Sequence, residues 1–171
     1  EHGLDEPVLG VAFDGTGYGE DGCLWGGEFL LADCREYRRL AQLAYLPLPG
    51  AAMAIREPWR LAAWLMYELF GPDFVSRDIP FVRRLPPGWE LLLAATAKGV
   101  NAPQSSGAGR LFDAAAALLG ICGRINYEGQ AAVELERAAV GAGGRVLPYA
   151  LEDRGSLVVD FRPAFAALAA A

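Results

Sequence analysis

Three short stretches of the chain combine residue types and spacings that could do chemistry. The first is Asp14-Gly15-Thr16-Gly17-Tyr18-Gly19, which leaves the apolar run Val8 to Phe13 and opens a segment with six glycines in fourteen residues. Glycine loses the most backbone entropy on folding, so this density calls for tight turns or for a backbone that must approach a ligand closely. Consecutive amides freed of side chains make an anion-binding concavity, as phosphate loops after strands do. An acid at the strand end with a hydroxyl two residues on suits a metal-bound phosphate. The competing interpretation is a hairpin with glycine turns. The stretch is not a Walker A sequence, since no Gly-Lys-Ser/Thr follows, nor a dinucleotide fingerprint, since a strand rather than a helix is expected next.

The second stretch is Ser105-Ser106-Gly107-Ala108-Gly109, which runs into Arg110 and a helix. A small-residue loop feeding a helix N-terminus can dock an anion or a ribose. Asp113, three residues after Arg110, shares its helical face, and a plain i,i+3 ion pair is the structural alternative. The third is Tyr127-Glu128-Gly129, where Glu128 either holds a sugar hydroxyl or simply favours the dipole of the helix that starts near Gln130. His2 is the only histidine, which argues against Ser-His-Asp or Cys-His catalysis and against a histidine-containing metal site complete within the chain.

The elements that must position these stretches follow from pattern and punctuation. Val8 to Phe13 is expected as a buried strand, and Gly22 to Leu31 as two short strands or one bulged strand, in a meander whose turns are DGTGYGEDG and WGGE. The segment from Asp33 to Leu40 fits a helical turn or a strand equally, and Pro47 to Gly50 is a loop. Helices are expected over Trp59 to Phe70 behind Pro58, Trp89 to Ala97 before Gly99, Arg110 to Leu119 before Gly120, and Gln130 to Val140. Residues 72–87 are polar and Pro-rich, as an insert or irregular loop would be. Arg145 to Tyr149 and Ser156 to Phe161 are strand candidates. Strands, then helices, then strands imply an α/β architecture, and Trp25, Trp59, Trp64 and Trp89 are expected as core or interface aromatics.

With 171 residues, 53% of them hydrophobic, the chain can bury the core of one domain. A net charge of −6, with no run of bases longer than two, argues against nucleic-acid or anionic-membrane binding. Cys23, Cys34 and Cys122 form no CxxC and fit a reducing compartment, and the chain is expected to be soluble and cytoplasmic. The strand-like run begins only seven residues in, and FRPAFAALAAA ends without a capping signal, as in a unit cut short.

Taken together, VLGVAFDGTGYGEDGCLWGGEFLLAD, LPLPGAAMAIREPWR, GRLFDAAAALLG and INYEGQAAVELE, in this order, closely resemble the carbamoyltransferase domain of the HypF hydrogenase maturation factors. The resemblance covers about Glu1 to Val140 and is weaker beyond. It implies an actin-like, Hsp70 and sugar-kinase ATPase fold of the ribonuclease H-like kind, of which residues 1–171 would be an incomplete domain. It implies carbamoyl-adenylate, made from carbamoyl phosphate and ATP by a neighbouring domain, as the bound species, and the C-terminal cysteine of a HypE-like protein as the carbamoyl acceptor.

By the same resemblance, Asp14 is a metal ligand and Gly15, Thr16 and Gly17 form the nucleotide phosphate loop. Asp113 contacts the ribose, and Glu128 and Gly129 lie in the adjoining nucleotide-side turn. The divalent metal would be Fe, Zn or Mg. Its other ligands would lie outside this chain, in a histidine run upstream of Glu1 and an acidic glycine loop beyond Ala171, so the isolated chain is expected to be inactive. Gly107 stands where the family usually has a serine. The alternatives are an O-carbamoyltransferase acting on a small molecule, a non-catalytic nucleotide-binding or interaction domain, and, less favoured, a kinase.

Overall fold

The computed structural model describes residues 6–144 and 146–170. His2 and Arg145 therefore lie outside the described residues. Three antiparallel strands, β1 (Val8–Tyr18), β2 (Leu24–Ala32) and β3 (Tyr37–Leu43), form the meander. Two short strands, β4 (Leu46–Pro47) and β5 (Gln104–Ser105), extend the sheet past β2, and β5 runs parallel to it. On the other side β7 (Leu157–Asp160) joins β3 in parallel, and β6 (Ala150–Asp153) pairs antiparallel with β7. β1 lies off this path and pairs with β2.

The β1–β2 turn is tied to β3 by a polar cluster. Asp21 accepts hydrogen bonds from the Tyr45 hydroxyl at 2.5 Å, Trp25 Nε1 at 2.9 Å, the Cys23 amide at 3.1 Å and Arg39 Nη2 at 3.1 Å. The Arg39 guanidinium stacks 4.1 Å from the centre of the Trp25 ring, adding a cation–π contact to the same clamp. The hairpin that carries Asp14 is thereby held at its tip as well as along its ladder.

The described residues form six helices, of which α4 packs on β1 and β2: α1 (Ala52–Arg56), α2 (Trp59–Phe70), α3 (Trp89–Ala97), α4 (Ala108–Leu118), α5 (Gln130–Ala139) and α6 (Arg162–Ala169). The core packs Leu61, Leu65 and Met66 of α2 against Ala114, Ala117 and Leu118 of α4, with Leu46, Leu48 and Phe165 closing it. Full burial of each of the larger side chains is worth roughly 1.5–3 kcal/mol. The alanines Ala62, Ala63, Ala114 and Ala117 keep the facing surfaces of α2 and α4 thin, so that the two helices approach closely. Residues 72–87 contain two 3-10 turns, Pro72–Ser76 and Val82–Arg84, and contribute Phe74, Ile79 and Phe81 to the same core. α6 is tied to α2 by Arg162, which bridges Glu68 and Asp160 at 3.0 Å each.

Several expectations change. The DGTGY stretch is not a loop: the ladder continues to Gly17↔Trp25 and Tyr18↔Leu24 after a register shift between Phe13 and Gly17, so the glycines sit in a bulged strand. The turn proper is Gly19 to Gly22, closed by Gly19 N–H to the Cys23 carbonyl at 2.9 Å. WGGE is no turn either, since Trp25 to Glu28 pair along β2. Tyr37 to Leu43 is strand, preceded by an Asx turn in which Asp33 accepts from the Arg35 and Glu36 amides at 2.7 and 2.9 Å. The late strand falls at Ala150–Asp153 rather than over 146–149, because its partner is Leu157–Asp160.

Candidate functional site

Three backbone segments approach one another closely: Asp14-Gly15 on β1, Gly26-Gly27 on β2, and Ser106 to Gly109 at the start of α4. A methyl group on Gly26 would lie 2.6 Å from the Asp14 carbonyl oxygen and 3.0 Å from Gly107 Cα. One on Gly107 would lie 2.5 Å from the Gly15 carbonyl oxygen, and one on Gly109 2.9 Å from Gly15 Cα. Since these neighbours are backbone, they cannot swing aside, and glycine is required by close approach. Gly26 and Gly27 thus serve backbone stacking against the start of α4, whereas Gly17 and Gly19 make room for Trp25.

Asp14 is exposed on the bulge, and its Oδ1 accepts the Gly15 amide at 2.5 Å. Thr16 is exposed beside it, and Gly17 is half-buried against the Trp25 backbone. Behind Gly15 lies Arg110, whose Nη2 would be 3.0 Å from a Cβ at that position. Arg110 and Asp113 are both buried and pair at 3.0 Å, the i,i+3 pair that was the structural alternative for these two residues. Among the described residues, Nε and Nη1 of Arg110 have no hydrogen-bond partner. Burial pushes the Asp113 carboxyl above the ordinary aspartate value, and Arg110 partly offsets this. Gly107 precedes the first residue of α4 and gives it no side-chain cap, so the helix's positive end and the Arg110 guanidinium lie together beside the Asp14-Gly15 segment.

Glu128 and Gly129 sit elsewhere. Gly129 is left-handed at φ 77° and precedes the first residue of α5, and Glu128 is exposed in the turn before it. α5 packs on α4 through Ala116, Cys122 and Ala131. Among the described residues no hydrogen bond or ion pair joins Glu128 or Gly129 to Asp14 or Asp113. The structure therefore gathers Asp14, Gly15 and, through Arg110, Asp113 around the start of α4, and leaves Glu128 and Gly129 on the adjacent helix.

Sequence reasoning missed Glu28. It is 2% exposed, its Oε2 accepts the Gly26 and Gly27 amides at 2.7 Å each, and its Oε1 accepts the Ser106 hydroxyl at 2.5 Å. The available signal was an acid inside the apolar run Leu24 to Leu31, directly after a glycine pair. Among the described residues no group of three or more His, Cys, Asp or Glu side chains could hold a metal ion. Asp14 fits a divalent cation as a single exposed carboxylate ligand, one member of a set that other parts of a protein would have to complete.

A bulged glycine hairpin stacked on a helix N-terminus, within a mixed sheet backed by helices, defines an ATPase-type α/β subdomain. A family model described as "Carbamoyltransferase, Kae1-like Domain, second subdomain" matches residues 10–171, and the chain belongs to this family. It is 45% identical over 148 residues to carbamoyltransferase HypF2 of Cupriavidus necator, covering 86% of this chain and 18% of that protein. It is 46% identical over 137 residues to carbamoyltransferase HypF of Rhodobacter capsulatus, covering 80% of this chain and 18% of that one. A crystal structure of full-length HypF in the phosphate- and nucleotide-bound form superposes with a TM-score of 0.82 at 34% identity, covering 98% of this chain and 26% of that one. The chain thus spans about a fifth to a quarter of these relatives. Among the described residues no helix is long and apolar enough to cross a membrane.

Proposed function

We propose that this chain forms the nucleotide-phosphate wall of a carbamoyltransferase site that handles carbamoyl-adenylate, made from carbamoyl phosphate and ATP. One observation carries the proposal: the Asp14-Gly15 bulge is stacked on the open N-terminus of α4 with the Arg110 guanidinium buried behind it. Amides of the Gly15 to Gly17 segment and the positive end of α4 stabilise the adenylate phosphate, and Arg110 adds its charge from behind Gly15. Asp14 supplies one ligand to a divalent cation (Fe, Zn or Mg), whose remaining ligands come from outside this chain. When bound, that cation would neutralise phosphate charge. Glu128 and Gly129 serve the ribose side, and the almost wholly buried Asp113 acts through Arg110, with which it pairs at 3.0 Å.

The acceptor is the C-terminal cysteine of a HypE-like protein. Its thiolate attacks the carbamoyl carbon, a C–S bond forms, the C–O bond to the adenylate phosphate breaks, and AMP leaves. The site's task is to hold the acyl carbon in line and to stabilise the leaving phosphate. The free thiols Cys23, Cys34 and Cys122 suit a reducing cytoplasm. The single acid that this chain brings to the bulge favours a second reading for the isolated chain, nucleotide binding without turnover.

The test is Asp14→Ala in the full-length protein, with carbamoyl transfer to the acceptor cysteine followed by mass spectrometry. Loss of transfer with the fold intact supports the assignment, and unchanged transfer removes Asp14 from the mechanism. Nucleotide binding by the isolated chain, with transfer only in the full-length protein, would establish the second reading for this segment.

A further inference from the structure

We infer that Glu28 is a positioning residue that sets the spacing between the glycine bulge of β1 and the N-terminus of α4. This rests on the functional reading above. The observations are the burial of Glu28 and the division of its carboxylate between two elements: Oε2 takes both glycine amides of β2, and Oε1 takes the hydroxyl of Ser106 on the approach to α4. A Cβ on Gly26 would meet the Asp14 carbonyl oxygen at 2.6 Å and Gly107 Cα at 3.0 Å, so the backbone there is closely flanked by both segments. Backbone pairs Ser106 N–H with the Leu24 carbonyl at 2.9 Å, but that bond lies at the start of β2 and leaves Gly26 and Gly27 without an acceptor from α4. Among the hydrogen bonds that bind these glycines to the Ser105–Gly109 segment through a side chain, Glu28 supplies both halves.

The chemistry explains why an acid is needed. Two converging amides and a hydroxyl present three donors, and an ionised carboxylate accepts all of them without offering a donor of its own. A glutamine keeps one acceptor oxygen for the two amides, while its NH2 group meets Ser106, whose hydroxyl must then turn away. The side chain still fills its place, so the fold survives and the clamp on Ser106 changes. An alanine removes the clamp altogether, leaves the Gly26 and Gly27 amides without the carboxylate, and leaves the Ser106 hydroxyl only the Leu24 carbonyl at 3.4 Å. A nucleotide that touches both the β1 bulge and α4 senses the spacing between them, whereas the attack on the carbamoyl carbon is made by a thiolate that Glu28 does not touch.

The experiment is steady-state carbamoyl transfer by the full-length protein with AMP, the product that leaves this site, as inhibitor, alongside thermal unfolding. Glu28→Gln is expected to raise the inhibition constant of AMP about tenfold, the size of effect that one altered buried charge-assisted hydrogen bond produces, with kcat within about threefold of wild type. Its melting temperature is expected to stay close to the wild-type value. Ser106→Ala, which removes the Oε1 arm, should show the same split in weaker form. A lowered melting temperature with the inhibition constant unchanged in both variants would make Glu28 a scaffold residue alone and overturn the inference. If Asp14→Ala raises the inhibition constant and the Glu28 variants do not, the inference fails while the functional reading stands. If Asp14→Ala also leaves the inhibition constant and kcat unchanged, the reading fails and takes the positioning role with it.

Discussion

Arg110 and Asp113 form an ion pair at 3.0 Å in which both side chains are buried beneath the glycine bulge. Removing one partner of such a pair leaves a buried charge uncompensated, which typically costs about 3–5 kcal/mol, whereas replacing both with apolar residues is far milder. Arg110→Leu is therefore expected to destabilise strongly, and Arg110→Leu/Asp113→Leu to recover most of the loss, as read from urea denaturation. The pH dependence has a defined sign. The folded-state pKa of Asp113 is raised, by burial before all else, so its contribution is fully present below the ordinary value of 3.8 and is lost as pH rises through the folded value. Without Arg110 this loss should extend to higher pH.

The close approaches at Gly26 and Gly109 predict steric intolerance. Gly26→Ala and Gly109→Ala each place a methyl group against backbone, at 2.6 and 2.9 Å respectively. Forced repacking of this kind costs typically about 1–3 kcal/mol. Gly143→Ala, with nothing within 4 Å of the added carbon, is the control and should shift stability by no more than about 0.5 kcal/mol. Thermal unfolding of the three variants checks the ranking.

The clamp at the hairpin tip predicts how stability falls at both ends of the pH scale. Burial alone would raise the Asp21 pKa, but hydrogen bonds from Tyr45, the Cys23 amide, Trp25 and Arg39 outweigh it and hold the carboxyl well below 3.8. Its contribution is present above 3.8 and is lost as pH falls below that value toward the depressed one. Tyr45 moves the other way, pushed up to about 12 by burial and by Asp21, so its contribution is lost as pH rises from the ordinary 10.0 through 12. Tyr45→Phe should flatten the alkaline limb of a melting-temperature profile and shift the acid limb, and Asp21→Asn should flatten the acid limb.

The free cysteines should separate by reactivity. Cys34 is exposed, whereas Cys122 is buried and its thiol is pushed up by burial, with Glu134 adding to the effect. Because the thiolate is the nucleophile, iodoacetamide at neutral pH is expected to label Cys34 first and to reach Cys122 only on denaturation. Peptide mapping by mass spectrometry reads this directly.

Helices were the most legible part of the sequence. α2 stops at Gly71 and α5 follows Gly129, as their punctuation indicated, and each differs from expectation by no more than a residue or two. The strands were harder because their register depends on distant partners. Tyr37 to Leu43 becomes strand through pairing with β2 and with β7, and nothing local distinguishes it from a helical turn. Glycine misled twice, since Gly17 and Gly26-Gly27 looked like turn residues and proved to be places where backbones stack. Asp14, Gly15 and Asp113 were visible as candidates by residue type. Glu28 was not, because its importance comes from three donors that only the folded chain brings together.

The parallel pairing of β3 with β7 joins Ala41 to Leu157 and Leu43 to Val159. On the ribosome, β3 must wait with one edge open while nearly the whole remaining segment is translated. The loop that closes is long, and such closure is slow and leaves the strand exposed to the wrong partners meanwhile. The meander and the α2–α4 core can form earlier from nearer contacts. The Asp21 clamp, which binds Arg39 and Tyr45 on either side of that waiting edge, would then hold β3 in register until its late partner arrives.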